Sequence, residues 1–222
     1  MVGRGWAGEP YTEVVIEAGR SGADAPEVPP GPGGTRQRIL DAAAKVLSRN
    51  GYAGTRLSDV AGAADLQSPA IYRYFSSRED LIEEVMTVGH KRFLEHVPSV
   101  LDALPPETTA LDRVLAAVAA HIEVVLALSD YATASTRNMS QLPENMRAGQ
   151  HELRREYGAI WRELLADAQR AGQLCPDVDL RAAQGLIIGA LSWSTEWWEP
   201  ERRNLQSLIK NAQDLVRFGI GR

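Results

Sequence analysis

The stretch "SPAIYRYFSSRED", residues 68–80, decides the reading of this chain. Ile71 and Phe75 stand four apart, so on an α-helix they share one face. Tyr72, Arg73 and Tyr74 fall between them and must point elsewhere. Ser68-Pro69 supplies a polar start and a proline in the first turn, where the missing N–H costs nothing. A second polar start, Ser-Ser-Arg-Glu-Asp, follows at once. A short helix that buries two apolar groups and turns aromatic and cationic ones outward is built to present them.

Working outward, Leu57, Val60, Ala61 and Ala64 mark the inner face of a helix over 57–64, with Thr55 as its expected cap. Asp65-Leu66-Gln67 is long enough only for a turn. The short helix then spans 69–75. Upstream, Ile39, Ala43, Val46 and Leu47 recur at helical spacing up to Asn50-Gly51. Downstream, a fourth helix begins near Ser77 with Leu81, Ile82, Val85 and Met86. Helix, three-residue turn, helix is a helix-turn-helix, whose second helix lies in the major groove of DNA. Ser68, Pro69, Ala70 and Arg73 are then the candidates for base edges, and Tyr72 and Tyr74 for phosphates. Arg78, Arg36, Thr55 and Arg56 complete the expected DNA-binding set. From spacing alone, an ordinary helical corner with tyrosines at a surface edge would read the same way.

Charge placement favours the nucleic-acid reading. Residues 35–80 carry seven basic and five acidic groups, 7 − 5 = +2, in a chain of net charge −5. The whole molecule is therefore no electrostatic sponge, but this segment is locally basic.

Residues 1–34 are rich in Gly and Pro and read as a flexible arm, since they cannot bury enough apolar surface to offset ordering. Residues 35–80 form the expected DNA-binding domain and 81–222 a larger helical domain. There, "PSVLDALPPETT" is expected to break the chain at its prolines. Helices are expected over 108–128, 130–139, 143–172, 180–198 and 201–218. The predicted class is all-α, about nine helices, a helix-turn-helix domain before a helical bundle.

Other classes are poorly served. There is one cysteine, Cys175, which suggests a reducing compartment and reads as a small structural side chain. No apolar run reaches 18 residues, and no secretory leader is visible, so a cytoplasmic location is expected. Bundle metal sites want Glu-x-x-His pairs, and hydrolases a Gly-x-Ser-x-Gly elbow; neither occurs. No catalytic residue, metal or cofactor is expected.

Residues 35–81, with "NGYAGT", "LSDVAGAA", "IYRYF" and "SSREDL", resemble the N-terminal domain of TetR-family transcriptional regulators. The family's turn usually has Gly where Asp65 stands, though aspartate tolerates the left-handed conformation. Pro69 often stands as Gly in members and should alter which bases are read. The resemblance implies a homodimer paired through its last two helices, binding palindromic operators as a repressor and released by a small molecule.

For the dimer, Gly185 and Gly189 sit four apart on one helix, and Leu205, Leu208, Ile209, Ala212, Leu215 and Val216 make an apolar stripe on the last. The stripe could instead pack internally. For the effector, "GALSWSTEWWEP", 189–200, is similar to a Trp-x-x-x-Trp segment in family members that regulate fatty-acid and steroid breakdown and respond to acyl-CoA thioesters. Trp193 and Trp197 would clasp an acyl chain or stack on an adenine, although tryptophans on a late helix also fill cores and dimer interfaces. Arg154, Arg155 and Arg162, with Trp161 beside them, and Arg202 and Arg203 are the candidate phosphate cations. His90, Phe93, His121, Tyr131, Arg137 and Tyr157 complete the expected ligand-binding set. A dimeric DNA-binding regulator with another hydrophobic ligand, or none, is the alternative.

Overall fold

A computed structural model describes residues 32–128, 130–199 and 204–222. Of the expected arm over 1–34, residues 32–34 instead open the first helix, while residues 1–31, like the cations Arg202 and Arg203, lie outside the described residues. Among them are nine α-helices: α1 Pro32–Gly54, α2 Leu57–Ala63, α3 Ser68–Ile71, α4 Arg78–Asp102, α5 Ala110–Glu123, α6 Asp130–Asn138, α7 Glu144–Arg170, α8 Leu180–Trp197 and α9 Leu205–Ile220. The architecture is all-α, with a helix-turn-helix before a larger helical domain.

The apolar spacing of α1 buries Ile39, Ala43 and Leu47. The helix is broken at Gly51, whose φ of 71° favours glycine. The freed backbone groups there are satisfied from another element. Asn138 of α6 accepts from the Tyr52 N–H at 2.7 Å, and its amide donates to the Leu47 carbonyl at 3.3 Å. Thr55 does not cap α2, contrary to expectation. Its hydroxyl donates back to the Gly51 carbonyl at 2.8 Å, and Arg56 takes the N-cap position without a side-chain bond. Asp65 does adopt the left-handed conformation, φ 55°. Its turn closes through the Leu66 N–H on the Ala61 carbonyl at 2.9 Å. The expected helix over 69–75 is regular only to Ile71. Beyond it the chain tightens, with Arg73 N–H on Ala70 O and Tyr74 N–H on Ile71 O, as a one-turn helix closes with short-range bonds.

Ser77 caps α4, its hydroxyl accepting from the Asp80 N–H at 3.0 Å. The expected break at Pro98 does not occur: α4 runs through it to Asp102. Proline inside a helix costs roughly 3 kcal/mol. Val97 and Leu101, both buried on either side of it, hold the helix to the core and offset that cost. The helix expected over 108–128 is α5 followed by one wider turn, a π-helical segment at Val124–Leu128. Thr133 of α6 donates to the Val125 carbonyl at 3.0 Å, satisfying one group the wider turn exposes.

Two apolar cores result. One joins Ile39, Leu47, Val60, Ile71 and Phe75 to Leu81, Ile82, Val85 and Met86 of α4 and to Tyr131, Ala134, Leu142 and Met146 beyond. The other gathers Phe93, Val97, Val118, Tyr157, Trp161 and Leu165 with the inner faces of α8 and α9. Helix α4 serves both. Its crossing with α6 is so close at Gly89 that a Cβ there would lie 2.3 Å from the Tyr131 carbonyl oxygen. The C-terminus is tied down as well: Cys175 N–H donates to the Ile220 carbonyl at 2.8 Å, and its thiol to Gly221 O at 3.2 Å.

Candidate functional site

The short helix α3 holds its inner side by Ile71 and Phe75, 1% and 2% exposed, with Leu66 packed against the same core. The outer side follows from that. Tyr72 is 60% exposed, and Pro69, Arg73 and Arg56 are exposed with it. Ser68, Ala70 and Tyr74 are half-buried at the same edge. This is an outward face of short polar, aromatic and cationic groups.

Three of the expected DNA contacts are engaged elsewhere. Thr55 is 2% exposed and bonded to Gly51. Arg36 forms a fork-on-fork pair with Glu84 of α4, one arm at 2.6 Å, and lies 4.9 Å over the Phe75 ring. That pairing raises its pKa further. Arg78 donates to the carbonyls of Thr55, at 2.7 Å, and Tyr52, pairs with Glu79 and lies 4.5 Å over the Tyr52 ring. It clamps the start of α4 to the loop before α2. A helix-start arginine beside open backbone carbonyls satisfies them before it reaches for solvent.

The expected ligand set does not come together as one site. Phe93 of α4, His121 of α5, and Tyr157 and Trp161 of α7 do come together. Ring centroids lie 4.9 Å apart for Phe93–His121 and 5.2 Å for Phe93–Tyr157, and Trp161 meets His121 edge-on at 6.2 Å. His121 Nδ1 is 2.8 Å from the Tyr157 hydroxyl and Nε2 is 3.2 Å from the Ser192 hydroxyl of α8. Burial alone pushes the His121 pKa down to about 3, so the ring is neutral. Burial likewise pushes the Tyr157 phenol up. The buried Trp161 Nε1–H faces the Tyr157 oxygen and opposes that rise without reaching full hydrogen-bond geometry.

His90 forms a second polar group one turn along α4. Its Nδ1 lies 2.8 Å from the Ser135 hydroxyl and 3.0 Å from the Met86 carbonyl. Burial lowers its pKa, opposed by the Met86 bond and helped by nearby Arg154. Gln150 of α7, donating to Thr87 at 3.1 Å, lies on the same α7 stripe as Tyr157 and Trp161. Ser135, Gln150 and Ser192 were not singled out by sequence. The signal available was a lone polar residue on an otherwise buried helix face.

Tyr131 and Arg137 sit at neither group. Tyr131 donates to Asp41 at 2.7 Å and accepts from Gln37 at 3.1 Å, so it joins α6 to α1. Arg137 donates to the Ser48 carbonyl of α1 at 3.1 Å, to the Thr195 carbonyl and to Glu196 of α8 at 2.9 Å. Both are ties between the helix-turn-helix and the larger domain.

Trp193 and Trp197 are corrections too. Ala183, Ile187, Leu191 and Ser194 set the buried face of α8, which places Trp193 opposite, 66% exposed, with Trp197 at 40%. Neither belongs to the protomer's buried core. They join exposed Leu186, Gly185 and Gly189, where a Cβ would meet nothing within 4 Å. On α9, Leu215 of the expected stripe and Phe218, which is not in it, are 76% and 80% exposed. Ile209 and Val216, expected at a dimer interface, are buried in the protomer's own core, and Leu205, Leu208 and Ala212 pack against it. One stripe docks α9; a second, carrying Phe218, is left outward. Arg162 and Arg154 are exposed on α7, and Arg155 pairs with Glu152.

No group of three metal-ligating side chains occurs among the described residues. No described helix is long and apolar enough to cross a membrane.

This geometry has parallels. Residues 39–85 match the bacterial regulatory proteins of the tetR family, and residues 107–217 match the tetracyclin repressor-like C-terminal domain. The chain is 22% identical over 185 residues to the fatty acid metabolism regulator protein of Bacillus subtilis, covering 82% of this chain and 94% of that protein. Its fold is that of AibR in complex with isovaleryl coenzyme A and operator DNA: TM-score 0.73, 23% identity, 83% of this chain and 97% of that one. The regulator FadR of Bacillus subtilis in complex with stearoyl-CoA superposes with TM-score 0.66, 21% identity, over 81% of this chain and 96% of that one. With both its helix-turn-helix and half its length matched in this way, the chain belongs to the TetR family of bacterial regulatory proteins.

Proposed function

We propose that this protein is a DNA-binding transcription regulator, acting as a homodimeric repressor in the cytoplasm and released from its operator by an acyl-CoA thioester. The observation that carries the DNA-binding half is the orientation of α3. Its apolar pair is locked inward, so Pro69, Tyr72 and Arg73 have only the outside to face. Arginine suits guanine through its two-pronged fork, and tyrosine hydroxyls suit phosphates. Two copies would read two half-sites, paired through the outward apolar face of α8 and α9. An exposed apolar surface of this kind marks an interaction site.

The effector half rests on the aromatic group around His121, lying between α4, α5, α7 and α8, and on relatives whose structures hold coenzyme A thioesters. Exposed Arg154, and Arg162 one further stretch along α7, supply positive charge for the nucleotide phosphates. Helix α4 then carries the response. It lines the aromatic group through Phe93, contacts α6 at Gly89 and begins beside the helix-turn-helix at Arg78. A ligand that wedges α4 from α7 changes the separation of the two α3 helices, and half-sites one turn apart no longer fit together.

The test uses DNA flanking the protein's own gene. Purified protein should shift that DNA, and an acyl-CoA panel should release it. Retention across the whole panel would leave a dimeric DNA-binding regulator with another effector, or none. Failure to hold any duplex, in a protein shown to be folded, would remove the function altogether.

A further inference from the structure

We infer that Arg137 is a positioning residue that sets which half-site spacing the protein accepts, by fixing the reading head to the helix that carries the outward apolar face. This rests on the dimeric DNA-binding reading and deepens it; no effector enters it.

Arg137 gives each of its three guanidinium nitrogens a different acceptor. Nη1 donates to the Ser48 carbonyl of α1 at 3.1 Å, Nη2 to the Thr195 carbonyl of α8, and Nε to the Glu196 carboxylate of α8 at 2.9 Å. Ser48 lies in the last regular turn of α1 before the break at Gly51, and Thr195 in the last turn of α8. At such helix ends the carbonyls run out of helical partners, and the dipole favours a cation. One side chain of α6 thus bridges the C-terminal ends of two other helices. Arginine suits this because its rigid fork reaches separated acceptors, where a lysine offers one point charge. The Arg137 and Glu196 side chains are 32% and 39% exposed, so attraction between the two charges contributes little. What the clamp supplies is geometry.

Its two ends belong to different tasks. Ser48 sits on α1, whose Ile39 and Leu47 share a core with Ile71 and Phe75 beneath the reading face. Asn138 and Tyr131 hold α1 to α6, and Arg137 carries that attachment on to α8. Thr195 and Glu196 fall between exposed Trp193 and Trp197, on the helix whose outward face continues to Leu186. In a two-fold dimer paired through that face, the end of α8 stays with the partner while α3 reaches for the groove. The separation of the two α3 helices then depends on how each head is held to its own α8. Two half-sites fit simultaneously at one spacing, so a head free to swing loses affinity there and tolerates the neighbouring spacings.

The experiment starts from the palindrome that full-length wild type recovers in a binding-site selection, and varies the spacer one base pair at a time. Binding is read by fluorescence anisotropy at one fixed salt concentration, and the oligomeric state by sedimentation. Wild type should show a sharp optimum. Arg137→Ala should remain a dimer, bind the optimum about tenfold more weakly, and lose most of its preference over the adjacent spacings, the scale of one lost set of charge-assisted hydrogen bonds. Base preference inside each half-site should not move. Glu196→Ala removes one of the three acceptors from an exposed position. It is the second variant, should the first fail to fold, and should flatten the profile in the same direction. A profile that keeps its wild-type shape in folded, dimeric variants would overturn the inference. So would variants that fall apart into monomers, since Arg137 would then support the interface and not the spacing. A folded wild type that holds no duplex, or holds it with no spacing optimum, would instead remove the dimeric DNA-binding reading, and the inference with it.

Discussion

Acid should unfold this protein partly through one buried ring, and replacing that ring should blunt the effect. His121 is fully buried, and burial is the only cause that moves its pKa, from 6.5 to about 3. Its neighbours are the Tyr157 and Ser192 hydroxyls and aromatic carbon, so no carboxylate compensates a positive charge there. The native pKa lies below the unfolded one, so the unfolded chain binds the proton first as pH falls. Stability from this group is complete above pH 6.5 and is lost progressively down to pH 3. Each pH unit in that window is worth about 1.4 kcal/mol, so acidification from 6.5 to 5.0 should cost about 2 kcal/mol through His121 alone. His90, lowered in the same direction by burial, adds to the loss in wild type. The perturbation is His121→Phe, which keeps an aromatic ring but cannot titrate. Losing the bonds to Tyr157 and Ser192 should lower its stability at pH 7.5 by about 1–3 kcal/mol. The assay is urea unfolding followed by circular dichroism, from pH 7.5 to 5.0, at fixed protomer concentration because a dimer's stability depends on it. All carboxylates and His90 are common to both proteins, so the gap between the curves isolates His121. That gap should close by about 2 kcal/mol at pH 5.0. Curves that stay parallel over the whole range would refute the neutral, buried assignment.

Three further outcomes are expected. Gly89→Ala puts a methyl 2.3 Å from the Tyr131 carbonyl oxygen, so α6 must move off α4. The melting temperature should fall by several degrees, as for overpacking of about 1–3 kcal/mol, and operator affinity should drop with it. Replacing Leu186 and Phe218 together by Glu places charge on the outward apolar face and should give a folded monomer by analytical ultracentrifugation. Arg73→Ala should relax base preference by about 1–3 kcal/mol at one position in a binding-site selection, whereas Tyr72→Ala should weaken all sequences about equally.

How much of this was legible in the sequence depends on what each residue's neighbours are. The helix-turn-helix was, because Ile71 and Phe75 at i and i+4, and the left-handed Asp65, are local facts. The capping of α4 by Ser77 was too. The fates of Arg36 and Arg78 were not. Each is an arginine on a basic segment, and only the fold brings Glu84 or the Tyr52 and Thr55 carbonyls to them. Pro98 misled because proline propensity is a local cost, while the core that overrides it is assembled from distant residues. The apolar stripe of α9 was visible, but a stripe does not say which of two neighbours it faces. Ile209 and Val216 turned inward and Phe218 outward. Spacing puts the tryptophan pair on a shared face, but Ala183, Ile187 and Leu191 occupy the opposite one, and that is the face the core takes. The polar chain through Ser192 was hidden because serine in an apolar helix carries no periodic signal.

The end of α1 has a consequence for how such a protein can be taken apart. Its last turn is closed by the Asn138 side chain, and Asp41 and the Ser48 carbonyl are held by Tyr131 and Arg137. All three belong to α6, more than 80 positions later in the chain. A fragment cut after the helix-turn-helix would lose the lid of its own first helix and bare one flank of its core. The reading head is therefore not a transferable cassette. A chimaera meant to transplant this operator specificity onto another effector domain must carry the segment around 130–141 along with the head, or rebuild its counterpart in the host.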